Sequence, residues 1–313
     1  MRQRLACAIG VVVLLTLTAL STRYVHPHWM FSALYTMHLH LTVACVLATI
    51  IGLLAKRDTM LWGLLVASVV LTADAVAMAT HYSLPADPAD LGKPKFRLLS
   101  INALNSNFES GETIARMIVA SGADVVNVME ARPLRHHIDE LAQVYPYRVG
   151  CGAMTRQCDQ LMLSKFPIES PQLMSLSKIF DERFITATSK IADQTISFAG
   201  IHTTKPYFDD FHSLELKNAA GVILTQMTGP LVLSGDFNAS SLDPGMQNFL
   251  KTTGLRTALW EPATWPVEAG RFGLPVDHIY TRPPLKIISV TRLPDAYGSN
   301  HYGLTAEITV SKL

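Results

Sequence analysis

The sequence predicts a mixed α/β domain carried behind three membrane-crossing helices, and three observations point there. Hydrophobic residues make up 49% of the 313-residue chain and the mean hydropathy is +0.24, yet the apolar excess is concentrated before residue 83. From Lys95 onward, short apolar runs of strand character alternate with amphipathic stretches. Those runs repeatedly end on a carboxylate, an amide or an imidazole. LSGDFNAS, residues 233–240, is the plainest case, delivering Asp236 and Asn238 directly behind the apolar run PLVL. Taken alone it also reads as a solvated turn, because Gly, Asp and Asn are turn residues.

The apolar region divides into Leu5 to Leu20, Leu34 to Ala55 and Met60 to Tyr82. A bilayer core about 30 Å thick needs roughly 20 helical residues, so the second and third stretches qualify and the first is marginal. Arg2 and Arg4 would also suit a signal peptide, but no small-x-small cleavage site follows, and the first stretch reads as a retained anchor. Arg2 and Arg4 precede span one, and Lys56 and Arg57 sit between spans two and three, whereas the loop between spans one and two holds only Arg23 and histidines. Positive charge thus places the N-terminus in the cytoplasm. Three crossings of the inner (cytoplasmic) membrane then put everything after Tyr82 on the periplasmic or extracellular side. Asp74, His38 and His40 fall toward the outer ends of spans and read as interfacial solvation.

Cys7 and Cys45 lie in apolar spans, but Cys151 and Cys158 close a short polar loop in YRVGCGAMTRQCDQLML. In an oxidising compartment that pair predicts a disulfide. Neither CxxC spacing nor a nearby histidine pair supports a metal site there. The chain has 26 Lys+Arg and 25 Asp+Glu; once the anchor's five basic and two acidic residues are set aside, the remainder is slightly acidic. It shows no basic stripe of the kind that grips nucleic acid.

After the third span, SLPADPADLGKP reads as a linker, residues 83–94. Strand character follows in FRLLSIN, ADVVNVME, DQLMLSK, TISFAGIH, PLVLSGD, VDHIYT, KIISVT and LTAEITV. Several are apolar nearly throughout, implying burial on both faces. GETIARMIVASG, LRHHIDELAQV, LELKNAAGVILTQM and DPGMQNFLKTTG read as helices, the last with Pro244 near its start. GxGxxG and GxxxxGK[ST] are both absent, which excludes support for a dinucleotide site or a P-loop.

The polar strand ends recur in order: Asn102 after LLSI, Glu130 after VVNVM, His202 after FAGI, then Asp236 and Asn238. Asp277 and His278 follow in VDHI, and Asn300 and His301 precede the last strand in GSNH. One such coincidence is a turn; six in one domain form a constellation.

With GDFNA, the ME of VVNVMEA, the IH of FAGIHT, VDHI and the terminal GSNH, residues 95–313 resemble the endonuclease/exonuclease/phosphatase superfamily. TWP before PVDHI and the three preceding spans are similar to bacterial membrane-anchored members of VanJ type. The resemblance implies a deoxyribonuclease-like four-layer α/β sandwich of two mixed β-sheets flanked by helices. It also implies phosphoester or phosphoanhydride hydrolysis with Mg²⁺ or Mn²⁺. A divalent cation and fixed donors suit that chemistry because the charged phosphoryl oxygens repel a nucleophile.

By the family pattern Glu130 would be the principal metal ligand, with Asn102 and Asn300 contributing to the metal site. Asp236 would position or deprotonate the attacking water, and Asn238 would bind the phosphate. His202 would face the phosphate and protonate the leaving oxygen. Asp277 and His301 would form a pair acting as base or as phosphate binder, and His278 would support substrate binding from behind. The family usually has Ser-Asp-His where this chain has Ser299, Asn300 and His301, so a negative charge is missing. Trp265 reads as packing, and His136, His137 and His212 as solvated surface.

The implied partner is a phosphorylated small molecule or a lipid-linked substrate at the membrane, with nucleic acid disfavoured. An extracytoplasmic endonuclease and a catalytically decayed sensor are the alternatives, and Asn300 is the clue to the latter.

Overall fold

Three helices of the computed structural model, which describes residues 1–310, are long and apolar enough to cross a membrane. The last three residues of the expected domain, 311–313, lie outside the described residues. The helices are α1 (Arg2–Ser21), α3 (His38–Ala55) and α4 (Thr59–His81), with a short α2 (Ser32–Thr36) between the first two. Ala6, Val13, Leu17, Cys45, Leu61 and Leu64 pack at their common seam. Val12, Leu15, Leu47, Leu54 and Val66 instead point outward and are exposed, as side chains facing lipid would be. The second long helix starts at His38 rather than Leu34. Met37 leaves helical dihedrals (φ −88°, ψ 10°), so the chain turns there between α2 and α3.

Beyond α4 the chain builds two mixed sheets. The first comprises β1 (Lys95–Asn102), β2 (Val125–Met129), β3 (Tyr147–Gly150), β4 (Gln160–Ser164), β10 (Lys286–Arg292) and β11 (Leu304–Thr309), ordered β10-β11-β1-β2-β4-β3. The second comprises β5 (Glu169–Met174), β6 (Phe184–Ile191), β7 (Gln194–His202), β8 (Leu231–Asp236) and β9 (Asp277–Arg282), ordered as numbered. Helices α5 (Gly111–Ala120) and α6 (Ile138–Ala142) cover the first sheet; α7 (Phe211–Gln226) and α8 (Pro244–Thr253) cover the second.

Strand alternation explains why the apolar runs are continuous. Phe96 and Leu98 of β1 face the gap between the sheets with Phe198 and Val232, while Leu99 and Ile101 turn outward beneath α5. Likewise Ile196 and Phe198 of β7 point into the gap, and Ala199 and Ile201 face α7. Three apolar layers thus separate four structural layers.

Three strands lack the apolar signature that would announce them. The β6 run FITATSKI alternates with Thr and Ser, β5 carries Pro171 and occupies a sheet edge where proline is tolerated, and β3 is only four residues long. Residues 83–94 lie against the domain. Leu84 donates its N–H to the Thr257 carbonyl, and Lys286 reaches both Asp87 and Asp90.

Candidate active site

Chain direction explains why the polar strand ends meet. Each sheet has one parallel pair at its centre, β1 with β2 and β7 with β8, so Asn102, Glu130, His202 and Asp236 emerge at carboxyl ends on one side. The antiparallel neighbours enter the sheets from that same side. Asp277 pairs with Asp236 at the start of β9, Gln160 pairs with Met129 at the start of β4, and Leu304 opens β11 opposite Ser100. Residues just before those strands, Asp159 and His301 among them, therefore reach the same place.

Asn102 sits at the centre and is 1% exposed. Its Nδ2 donates to Glu130 Oε1 at 3.2 Å and to Asp236 Oδ2 at 3.0 Å, while its Oδ1 accepts from Leu104 N. An amide that turns its NH₂ toward both carboxylates offers no lone pair to a cation between them. Asn102 thus links the two carboxylates through its amide. Glu130 has a left-handed backbone (φ 53°), uncommon for a side chain of this size and a feature that gathers at functional sites. The Asn105 N–H holds its Oε2 at 2.8 Å.

Asp236 is 1% exposed, and its Oδ1 accepts from the Asn238 N–H at 2.8 Å. The preceding Gly235 cannot be replaced: at φ 153° a Cβ would lie 1.8 Å from the Ile201 carbonyl oxygen. The GDFN signature is thus a strand end that must pass close to β7 before presenting its carboxylate. Asn238 turns at φ 50°, a conformation Asn tolerates, and donates Nδ2 to the Thr203 carbonyl.

His301 donates to or accepts from Asp277 Oδ2 through Nδ1 at 2.8 Å, and its Nε2 lies 3.7 Å from Asp236 Oδ2. Burial alone would push this imidazole down, but the Asp277 and Asp236 carboxylates outweigh it and raise the pKa to about 9. Both carboxylates thus favour the imidazolium form, in which Nδ1 donates to Asp277. Burial pushes the Asp236 carboxyl up, yet the neighbouring His301 and His202 hold it below the usual carboxylate range.

The side chains of Asp236, Asp277 and His301 bring ligand atoms within 4.8 Å of one another. The Glu130 oxygens each accept one hydrogen bond and retain free lone pairs.

Sequence reasoning missed Asp159. It precedes β4, where attention to strand ends alone does not look. Arg183 Nε lies 2.7 Å from its Oδ2, Asn105 Nδ2 donates to its Oδ1 at 3.1 Å, and His202 Nδ1 lies 3.5 Å away. Burial raises this carboxyl, but His202, Arg183 and Asn105 prevail and hold it well below the usual range. His202, 4% exposed, is thus suspended between Asp159 and Asp236, whose Oδ2 is 3.9 Å from Nε2.

His278 is not brought to the site. It follows Asp277 on β9, so it points to the opposite face, binding Glu261 through Nδ1 at 2.6 Å and the Ala239 carbonyl through Nε2 at 2.8 Å. His212 is not solvated surface either: it is 2% exposed and its Nε2 lies 2.8 Å from the Phe237 carbonyl oxygen. His136 is exposed and His137 half-buried. His38 is fully buried, 3.0 Å from Arg23 Nη1, and Asp74 accepts from the Tyr24 hydroxyl. Cys151 and Cys158 are joined by a disulfide, their Cα atoms 4.1 Å apart.

Glu130, His202, Asp236, Asn238, Asn300 and His301 line one cavity of about 320 Å³, together with Lys205, Tyr207 and Trp265. A larger cavity, about 630 Å³, lies between α2, α7 and α8 and contains none of these groups.

A family model described as the Endonuclease/Exonuclease/phosphatase family matches residues 99–301. No curated protein is close enough in sequence to match. Solved structures share the fold at low identity. A humanised D. rerio TDP2 is 14% identical with a TM-score of 0.56, covering 69% of this chain and 99% of its own. An endonuclease/exonuclease/phosphatase family protein from Leptotrichia buccalis is 17% identical with a TM-score of 0.55, covering 69% and 100%. A Staphylococcus aureus beta toxin mutant with bound magnesium ions is 14% identical with a TM-score of 0.54, covering 68% and 99%.

Proposed function

The chain belongs to the endonuclease/exonuclease/phosphatase family, and from that premise we propose a membrane-anchored, divalent-metal-dependent phosphohydrolase that cleaves a phosphoester or phosphoanhydride bond. One observation carries the reading: the Asn102 amide donates to Glu130 and Asp236 together, so carboxylates from the two different sheets face one cavity.

The donor set suits Mg²⁺ or Mn²⁺, because Glu130 offers hard carboxylate oxygens with free lone pairs and Asn300 adds an amide on the same cavity wall. The fold is shared with a beta toxin that has bound magnesium ions. Glu130 would hold the ion, with Asn300 beside it; when bound, it would offset charge on the phosphoryl oxygens.

The chain's own groups do the rest. Asp236, clamped through one oxygen by Asn102 and through the other by Asn238, keeps a fixed direction in which to orient an incoming water. His301, pinned by Asp277, and Asn238 present donors to a phosphoryl oxygen. His202, held between Asp159 and Asp236, is placed to deliver a proton to the leaving oxygen.

The anchor's contacts support an outward-facing domain. Arg23 at the end of the first span, Thr36 of α2 just before the second, and Met78 near the end of the third all touch the domain, whereas Arg2, Arg4, Lys56 and Arg57 lie at the opposite ends.

The test is release of inorganic phosphate from a phosphomonoester and a diphosphate by the full-length protein. Activity should vanish with a chelator, return with Mg²⁺, and be lost in Glu130→Ala. Turnover that survives both changes would contradict the metal mechanism, and efficient plasmid nicking would turn the reading toward a nuclease.

A further inference from the structure

The catalytic cavity is not closed by the α/β domain alone. Ala33 and Thr36 of α2, and Met37 at the turn into α3, form part of its wall. Met37 is the residue immediately before a helix of membrane-crossing length. The residues that lead into an apolar span therefore share one cavity with the polar strand ends: Ala33, Thr36 and Met37 line the space that Glu130, Asp236 and His301 also line.

This elbow is fastened in place. Ser240 Oγ donates to the Thr36 carbonyl at 3.0 Å, and Arg23 joins His38 to the Leu242 carbonyl at 3.0 and 2.7 Å. Ser240 and Leu242 lie in the loop that leaves β8 directly after Asp236 and carries Asn238, so the anchor touches the segment that follows the candidate catalytic carboxylate. Farther along α3, Val43 and Leu47 are exposed apolar side chains. At about 320 Å³ the cavity is at the small end of ligand sites and encloses a head group rather than a chain.

Resting on the phosphohydrolase reading above, we propose that the Ser32–Met37 elbow is the specificity-determining wall of this site. It admits a phosphate or diphosphate head group while the attached apolar chain leaves over Ala33 and Met37 and stays in the bilayer along α3. The substrate class is then a phosphorylated amphiphile presented by the membrane, in preference to a soluble phosphoester. A chain that never leaves lipid incurs no transfer into water, which is the advantage a site at this level gives.

The experiment uses full-length protein in nanodiscs with hexadecyl diphosphate and its water-soluble butyl counterpart, comparing the ratio of their kcat/KM values. Ala33 and Met37 are both exposed, so Ala33→Trp can narrow the opening and Met37→Asp can place a charge on the chain's route without entering a core. The wild type should favour the long chain, and each variant should lower the ratio by about tenfold or more, a discrimination of the size that one pocket contact supports. Ratios equal to the wild type's in both variants would overturn the wall. A wild type that cleaves the butyl compound as well as or better than the hexadecyl one would overturn the membrane-borne substrate and leave the phosphohydrolase standing. Cleavage of neither compound would remove the hydrolase reading, and this inference with it.

Discussion

Asn102→Asp is nearly isosteric, so shape alone predicts almost no effect; the site geometry predicts a large one. The new carboxylate oxygen would replace an NH₂ that lies 3.2 Å from Glu130 and 3.0 Å from Asp236. At an effective dielectric near 20, each like-charge contact at that range costs about 5 kcal/mol. The site avoids the full cost by binding one proton, and holding a carboxyl of ordinary pKa about 4 protonated at pH 7 costs about 4 kcal/mol. The variant should thus lose about 2–4 kcal/mol at pH 7.

The sign follows from linkage. The folded protein carries a carboxyl whose pKa is raised, so its stability relative to wild type falls as pH rises, by about 1.4 kcal/mol per unit between pH 5 and 7. Denaturation of the full-length protein in detergent, followed by Trp fluorescence at both pH values, reads this directly. Millimolar Mg²⁺ should recover part of the loss. A cost below about 0.5 kcal/mol, or one indifferent to pH, would show that the two carboxylates do not share a site.

Three further outcomes are open to measurement. Gly200→Ala would bring a Cβ within 2.3 Å of the Asn127 side chain, which is locked by two hydrogen bonds to Ser234, so it should destabilise by about 1–3 kcal/mol. Adding Asn127→Ala should recover part of that loss, and strictly additive costs would refute the clash. Burial pulls the His278 imidazole down but the Glu261 carboxylate outweighs it and raises the pKa, so their stabilisation is full below about pH 6.5 and is lost as pH rises through the raised value. Glu261→Gln should then cost about 3 kcal/mol at pH 6 and progressively less in alkali, and a cost that grows with pH would reverse the assignment. Asn300→Asp restores a charge on the exposed cavity rim, where each added substrate charge should feel about 1 kcal/mol, so diphosphate cleavage should fall about fivefold relative to monophosphate cleavage. An unchanged ratio would show that the missing charge at Asn300 does not favour the more anionic substrate.

What could be read from the sequence follows from the layers. Strands of the parallel centre are apolar on both faces because each face meets a different core, so Leu98 and Leu99, or Val232 and Leu233, announce burial together. Their polar termini stand out against that background, which made Asn102, Glu130, His202 and Asp236 visible. Edge strands have no such contrast: β5 contains a proline and β6 alternates with hydroxyls, so both passed as loop.

Asp159 was hidden for a related reason, since an antiparallel strand brings its first residue, not its last, to the site. The period-2 rule that exposes a strand also separates neighbours, placing Asp277 toward the cavity and His278 against Phe237 and Tyr280. His212, on a helix whose buried face also carries Glu215, has no local sign of the distant carbonyl it meets. Nor could hydropathy show that α2 folds back to wall the cavity, because that depends on Ser240, some two hundred residues away along the chain, meeting Thr36.

The most direct measurement is an anomalous-scattering map from crystals of the full-length protein soaked in Mn²⁺. A peak should appear within coordination distance of the Glu130 carboxylate, on the cavity side shared with Asp236, and be lost in Glu130→Ala crystals. A map with no peak beside Glu130, or with one that remains after that substitution, would contradict metal binding by Glu130.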